Sequence, residues 1–252
     1  MDIQLLRHAT LLIKINKRLL LIDPMLSPAG AMPPIVNSTN DRCNPLVPIS
    51  YPQDFLQRVD AVLLTHTHKD HFDDAAAKEL PKEKLIFCQP EDEIKLKELG
   101  FSQVIPIHDE YPWQGIMIIR TSGQHGTGEI GAKMSPVSGY ILQTKGEPSL
   151  YIAGDTIYCP EVENALQQYH PQVTVVNAGA AQFSTGDAIT MTAQDVAAVC
   201  KYEHRTMVLA VHMEAINHCL LSREELRQYL KGQGLLERVL IPADGEYLVF
   251  TS

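Results

Sequence analysis

Long hydrophobic runs are missing from the sequence. Apolar stretches such as residues 19–22 and 208–211 are far shorter than the ~18 residues that a membrane-spanning helix needs. The chain also starts without a basic segment that leads into an apolar one, so no secretory signal is visible. These absences predict a protein that has no membrane segment and resides in the cytoplasm.

Cysteine and positive charge are both scarce. The five cysteines are an odd set whose nearest pair, Cys200 and Cys219, is nineteen residues apart, which excludes a disulfide framework and a Cys-x-x-Cys zinc site. We therefore expect reduced thiols, most of them buried. Twenty-one Lys and Arg stand against thirty Asp and Glu, and the resulting net charge of -9 repels phosphate backbones. A nucleic-acid partner is not expected.

Low-complexity tracts and short internal repeats are absent as well. With 45% hydrophobic and 20% charged residues, the composition is typical of a folded protein, and we expect one domain over residues 1–252. Short β-branched runs, of which the first is 4–15 and the last 239–250, alternate with helical segments, which predicts a layered α/β fold with mixed sheets. Residues 27–52, rich in Pro and Asn, are expected to form a long loop that overhangs the functional site.

Two helices have recognisable start signals. Thr192 with Asp195, and Ser222 with Glu225, have the spacing of capping boxes and precede segments with apolar residues at helical intervals. Other helices are expected near residues 53–58, 73–80, 91–99 and 160–169.

The strongest functional signal is a cluster of metal-binding side chains. An apolar run at residues 61–64 is followed by His66, His68, Asp70 and His71. His66 and His68 face the same way if the chain stays extended. A turn at Asp70 and His71 then aims the second pair at a neighbouring point. This spacing indicates two adjacent metal ions, and a His-rich polar loop is the alternative.

Three later strands each end in one side chain of the same kind. The predicted strands 116–120, 149–153 and 207–211 are followed by His125, Asp155 and His212. Because the ends of neighbouring strands meet at one edge of a sheet, these side chains can surround a single polar centre. Taken singly, each has an ordinary alternative as a hydrogen-bonded turn residue or a helix cap.

Together these motifs resemble the five metal-binding motifs of the metallo-β-lactamase fold superfamily, in the same order along the chain. The matching residues are His-x-His-x-Asp-His at 66–71, then His125, Gly-Asp-Thr at 154–156 and His212. Residues 8–13, 21–24 and 125–131 are similar to the metal-dependent hydrolase branch that includes ascorbate-6-phosphate lactonase. The resemblance implies an α/β fold, a four-layer αβ/βα sandwich of two mixed β-sheets, with the site at their shared edge.

The resemblance also implies a division of the ligands between two divalent metal ions. His66, His68 and His125 would bind one ion, Asp70, His71 and His212 the other, and Asp155 would bridge them. Three imidazoles favour zinc in the first position, whereas the larger share of carboxylate in the second would also accept manganese or iron. Two divalent ions are therefore the expected cofactors, with zinc favoured.

Three side chains are candidates for catalysis. Asp70 would orient the attacking hydroxide as well as bind metal, and the leaving group would be protonated by a metal-bound water, by His218 or by His8, among which the sequence does not choose. Each histidine also has a non-catalytic interpretation: His8 as a hydrogen-bonded core histidine, and His218 as an exposed residue at a helix start. Asp23, which follows the strand at 19–22, could fix the tautomer of a ligand histidine.

The ligand set and the resemblance favour a binuclear metal-dependent hydrolase. A metal-bridging hydroxide would attack a small lactone or ester, and the positive charge left on the metal centre predicts an anionic substrate. A phosphodiesterase on the same centre is the alternative within this chemistry. A mononuclear iron oxygenase and a non-catalytic binding protein are alternatives of other classes. The expected partner is a small-molecule substrate. The sequence leaves open whether the protein forms a homo-oligomer.

Overall fold

Fourteen strands and seven α-helices lie within residues 1–51, 54–134 and 136–251, which the computed structural model describes. The strands are β1 (Asp2–Arg7), β2 (Thr10–Ile15), β3 (Arg18–Ile22), β4 (Ala61–Leu63), β5 (Leu85–Cys88), β6 (Gln103–Pro106), β7 (Glu110–Trp113), β8 (Ile116–Ser122), β9 (Ser138–Gln143), β10 (Leu150–Ile152), β11 (Val173–Asn177), β12 (Met207–Val211), β13 (Val239–Leu240) and β14 (Tyr247–Val249). The helices are α1 (Phe55–Arg58), α2 (Asp74–Glu79), α3 (Glu93–Glu98), α4 (Gly128–Lys133), α5 (Pro160–Tyr169), α6 (Ala193–Tyr202) and α7 (Arg223–Gly232).

The strands form two seven-stranded sheets of the same design. The first has the order β14-β1-β2-β3-β4-β5-β6 and the second β13-β12-β11-β10-β9-β8-β7. The strands from β14 to β3, and those from β7 to β10, pair antiparallel, whereas the remaining pairs in each sheet are parallel. Both sheets are therefore mixed, as the sequence predicts.

Each sheet is covered on both faces. Along β12, Leu209 and Val211 belong to the core between the two sheets, while Val208 and Ala210 pack under α5, α6 and α7. The outer face of the first sheet is covered in the same way by α1, α2 and α3. Strands that are buried on both faces need continuous apolar runs, which is what residues 207–211 provide. The layers run helix, sheet, sheet, helix, and this confirms the predicted four-layer sandwich.

The helix starts agree with their local signals. Thr192 accepts a hydrogen bond from the backbone N–H of Asp195, whose side chain accepts from the N–H of Thr192, and Ser222 and Glu225 make the same reciprocal pair at the start of α7. Helix α5 has the predicted bounds of 160–169. Helix α1 covers Phe55–Arg58 of the predicted 53–58, and Gln53 lies outside the described residues.

Two predicted strand runs were wrong in extent. Residues 4–15 form β1 and β2, which pair as a hairpin because His8 adopts a left-handed φ of 59° and reverses the chain. Residues 239–250 contain β13 and β14, which belong to different sheets. Pro242 cannot donate to a ladder, and the Gly245 N–H donates instead to the Leu5 carbonyl of the first sheet at 2.6 Å. A hydrophobic pattern does not show which sheet a strand joins.

The predicted loop at 27–52 holds no helix or strand in its described part, which ends at residue 51. Met32 and Asn44 form an isolated antiparallel bridge within it. All five cysteines are free, with Cys88, Cys159 and Cys200 buried as expected. None of the described helices has the length and apolar character that crossing a membrane requires.

Candidate metal centre

The ends of five strands bring eight metal-binding side chains together at one edge of the two sheets. They form two groups, and within each group the potential ligand atoms lie within 4.8 Å of one another. The first group is His66, His68, His125 and Asp155, and the second group is His8, Asp70, His71 and His212. All seven residues that the sequence implied as ligands are present, and His8 joins them.

A tight turn after β4 separates the two groups. The backbone N–H groups of His71 and Phe72 both donate to the carbonyl of His68, at 2.9 and 2.8 Å, so the chain folds back between His68 and His71. Asp73 then caps α2 by accepting from the N–H of Ala76. This turn sends His66 and His68 to one group and Asp70 and His71 to the other, as the spacing predicts.

Three residues around the centre have a left-handed backbone. His8, Asp23 and His212 have φ values of 59°, 43° and 63°. Such conformations cost on the order of 1–3 kcal/mol for residues other than glycine and cluster at functional sites. The backbone N–H of His212 also donates to the carbonyl of His8 at 2.9 Å, and this bond ties the ends of β1 and β12 together across the two sheets.

Asp155 lies between the two groups. Its Oδ2 is 3.8 Å from His66 Nε2, 3.5 Å from His125 Nε2 and 3.2 Å from His71 Nε2. Its Oδ1 is 3.3 Å from His212 Nε2. One carboxylate therefore contacts imidazoles of both groups, which is the position that a bridging ligand must occupy.

Four imidazoles of the centre are held through their Nδ1 atoms, which leaves Nε2 to face inward. The partners are Thr65 Oγ1 for His66 (3.1 Å), Asp23 Oδ2 for His71 (2.9 Å), the Ile189 carbonyl for His125 (2.8 Å) and Cys219 Sγ for His212 (3.5 Å). Asp23 has the role expected from the sequence, and it also accepts from the N–H and the hydroxyl of Thr65.

A metal ion fits these donors. The Nε2 atoms of His66, His71 and His212 are buried and have no hydrogen-bond partner among the described residues. Buried polar atoms without a partner are costly, and three such nitrogens around the Asp155 carboxylate indicate a missing ligand. Imidazole nitrogens with carboxylate oxygens are the donors that zinc and related transition metals prefer.

The charges at the centre follow from burial and from the carboxylates. Burial lowers the pKa of His66, His68 and His125, so these imidazoles are neutral and able to bind metal. Burial would also lower the pKa of His71, but Asp155 and Asp23 outweigh it and raise that pKa to about 10. A metal ion that binds at His71 must therefore displace a proton.

The three candidate catalytic residues lie in different places. Asp70 and His8 belong to the second group, and His8 Nε2 is 3.4 Å from Asp70 Oδ2. The His8 ring packs against that of His212 with 3.7 Å between centroids and the ring planes tilted by 37°. His218 lies outside both groups; it is buried, and its ring is 6.1 Å from that of Phe183.

Two supporting residues were missed in the sequence. Asn177 donates to Asp155 Oδ1 at 2.6 Å, and Cys219 contacts His212. Asn177 ends the apolar run 173–177, so it carried the same strand-end signal as the ligands. Cys219 carried no such signal, because its place beside His212 depends on Gly179, where an added Cβ would lie 2.2 Å from the His212 carbonyl and 3.0 Å from the Cys219 Cβ.

Known proteins share both the fold and the length of this chain. Residues 18–213 match the family model described as beta-lactamase superfamily domain. The UPF0173 protein YddR of Bacillus subtilis (strain 168) is 37% identical over 99% of this chain and 100% of its own. A solved isothiocyanate hydrolase from Delia radicum gut bacteria is 36% identical, covers 100% of both chains and has a TM-score of 0.95. A possible metal-dependent hydrolase from Veillonella parvula DSM 2008 is 32% identical, with 98% of both chains covered and a TM-score of 0.94.

The fold, the His-x-His-x-Asp-His turn and these likenesses define the class as the metallo-β-lactamase fold superfamily. Within that class the chain belongs to the UPF0173 family of metal-dependent hydrolases. It is therefore an enzyme, as the sequence predicts, and its two clusters of His and Asp can hold metal.

Proposed function

We propose that this enzyme is a two-metal hydrolase that acts on an electrophilic carbon of a small molecule. The observation that carries the proposal is Asp155, whose two carboxylate oxygens contact imidazoles of both ligand groups. Seven or eight ligands are too many for one tetrahedral ion, and a shared carboxylate suits two ions side by side. His66, His68 and His125 would hold one ion, and Asp70, His71 and His212 the other.

Bound divalent ions would supply Lewis-acid activation of water and of the substrate's carbonyl oxygen, with zinc as the first choice and manganese or iron as alternatives. The protein's own part is to hold the carboxylates ionised. Burial alone would raise the pKa of Asp70, but protonated His71 and His212 keep it well below its usual range, and bound divalent ions, which displace those protons, would take over this role. An ionised Asp70 can accept a hydrogen bond from the attacking water and so orient it.

The candidates for proton transfer to the leaving group are a water held at the metal centre, His8 and His218. His8 Nε2 lies 3.4 Å from Asp70 Oδ2, but His8 is fully buried and burial holds its pKa well below the usual range, which disfavours it as a proton donor. His218 is buried nearby, and its Nδ1 has no hydrogen-bond partner among the described residues. A general acid must reach the leaving group directly or through one water.

A small lactone or ester is the first substrate class, because activated water adds to such a carbonyl carbon directly. An organic isothiocyanate is a second candidate, favoured by the 36% identity to the isothiocyanate hydrolase over the whole of both chains. Its central carbon is also electrophilic: addition of water and cleavage of the C–N bond would yield an amine and carbonyl sulfide. If the activated water instead attacks phosphorus, a phosphodiester is the alternative substrate.

The test is reconstitution with zinc, manganese or iron, followed by elemental analysis and a substrate screen. We expect two metals per chain and turnover of lactones, esters or isothiocyanates, with precursor tRNA as a poor substrate. A ratio that stays at one metal under saturation would reject the binuclear centre and favour the mononuclear iron alternative. Two bound metals without turnover of any of these carbon compounds would favour the phosphodiesterase or the non-catalytic alternative.

A further inference from the structure

A cavity of about 290 Å³ adjoins the candidate metal centre at Asp70. Its apolar wall consists of Met32, Pro33, Pro34, Ile35 and Ile216. The first four belong to the long loop after β3, and Ile216 follows β12. We call this space the apolar cavity. Its size is at the small end of ligand-binding pockets, which are mostly apolar with a few polar groups that set orientation.

The loop wall of the apolar cavity is held in place by the buried Asn217 side chain, together with buried Asn44, whose backbone pairs with that of Met32 at 2.7 and 2.8 Å. The Asn217 Oδ1 accepts from the backbone N–H of Ile35 at 3.0 Å and from the Asn44 amide at 2.9 Å. Its Nδ2 donates to the carbonyls of Ile35 and Asn40, at 3.2 and 2.8 Å. Because Asn217 directly follows Ile216, the same segment forms one wall and fixes the other. The cavity is thus a built feature of the fold and does not depend on loose packing.

The charges around the apolar cavity are already paired. Lys69 is the one cationic side chain that the described residues contribute to its walls, and it forms an ion pair with Asp74. Asp70 is engaged with His8 and His212. An anionic group placed against these walls would lose its water without gaining a free cationic side chain, which is unfavourable. An uncharged apolar group would gain from burial.

We propose that the apolar cavity binds the uncharged, apolar part of the substrate, an alkyl or aryl group, while the reacting carbon lies at the metal centre beyond Asp70. This inference rests on the proposed function and adds the substrate's chemical class to it. The anionic substrate expected from the sequence is the opposing outcome. Burial of each methylene should raise kcat/KM about fourfold until the cavity is filled.

The experiment compares chain length and charge in substrates with the same reacting group. The probes are methyl to hexyl γ-lactones and methyl to hexyl isothiocyanates, beside versions of equal length that end in a carboxylate. The variant Ile35→Asp places a charge in the cavity wall, while the backbone groups that Asn217 binds are retained. Val36→Asp is the matched control, because Val36 is the next residue of the same loop and is 73% exposed.

We expect kcat/KM to rise with alkyl length in the wild type and in Val36→Asp, and to lose this dependence in Ile35→Asp. Turnover that is independent of alkyl length, or that favours the carboxylate series, would overturn the inference and leave the hydrolase function standing. If neither series is turned over, the proposed hydrolysis at an electrophilic carbon fails. Calorimetry with 1-hexanol and the metal-loaded protein then tests ligand binding in the cavity without any turnover. Binding by the wild type and Val36→Asp but not by Ile35→Asp supports the inference. Absence of binding by the wild type overturns it.

Discussion

The two ligand groups of the metal centre differ in how the chain assembles them and in how much solvent they meet. The first group contains two histidines only two residues apart, and one of these, His68, is partly exposed. The second group is buried throughout, and two of its members, His8 and His212, are 204 residues apart in the sequence. A hydrogen bond from the His212 N–H to the His8 carbonyl joins these two residues.

This difference predicts that an ion in the second group would depend more on tertiary structure than an ion in the first. His8 and His212 both have a left-handed backbone, which persists only where the surrounding structure enforces it. His212 further relies on Cys219 across a segment that packs against Gly179. We therefore expect the second group to lose its metal first when the supporting contacts are weakened.

The largest effect should come from the residue that the two groups share. Asp155→Ala should lower kcat/KM by more than a hundredfold, because loss of a ligand should exceed the 10–100-fold that is typical for loss of a partner behind a ligand. Metal content of the purified, reconstituted variant should fall at both positions. The comparison is His8→Ala, whose loss of kcat/KM should be smaller because His8 belongs to the second group alone. Equal losses would show that Asp155 is not the bridge.

Removal of metal should lower the melting temperature by roughly 5–10 °C. Ligands come from five separated strands, so metal binds the folded chain, and an excess of about a hundredfold over Kd contributes about 2.7 kcal/mol. Thermal scans before and after chelation measure the shift, and re-addition of zinc is the control. An unchanged melting temperature after verified metal loss would argue that these residues do not form the metal site.

Cys219→Ala should weaken the second metal about 10–100-fold and leave the first nearly unchanged. The thiol is the contact of His212 Nδ1, and its removal frees that imidazole to rotate. Chelator competition resolves the two affinities, and Cys219→Ser should recover part of the loss because a hydroxyl can also accept the N–H. Cys43→Ala, at an exposed position, is the control. Equal weakening of both metals would contradict a selective role.

The smallest effect on metal is expected from Asn217→Ala. This change leaves partly buried backbone groups at Ile35 and Asn40 without the Asn217 side chain as partner, so the loop wall of the apolar cavity should loosen at a cost of about 1 kcal/mol in stability. We expect KM to rise about tenfold while kcat and metal content change little. Asn164→Ala, at an exposed position on α5, serves as the control. A loss of metal in Asn217→Ala would place its role in the centre itself.

Much of the fold could be predicted because its signals are local. The capping boxes at Thr192 and Ser222 and the buried run 207–211 each lie within one element, and the structure has each of them as expected. The division of 239–250 between two sheets was not predictable, because a short apolar segment satisfies either sheet equally well. The assignment of metals to the individual ligands stays a prediction.

Local sequence signals were enough to predict which side chains gather at the candidate centre: His66, His68, Asp70 and His71 in one turn, with His125, Asp155 and His212 each placed after an apolar strand. The approach of His8 to 3.4 Å from Asp70, 62 residues away, and the closing of a cavity by the loop at Ile35 against Ile216 became visible in the folded chain. The physical reason is the range of the interactions. Strand and turn signals act over a few neighbouring residues, whereas these contacts arise from the packing of two sheets and from a loop held by the buried residues Asn44 and Asn217.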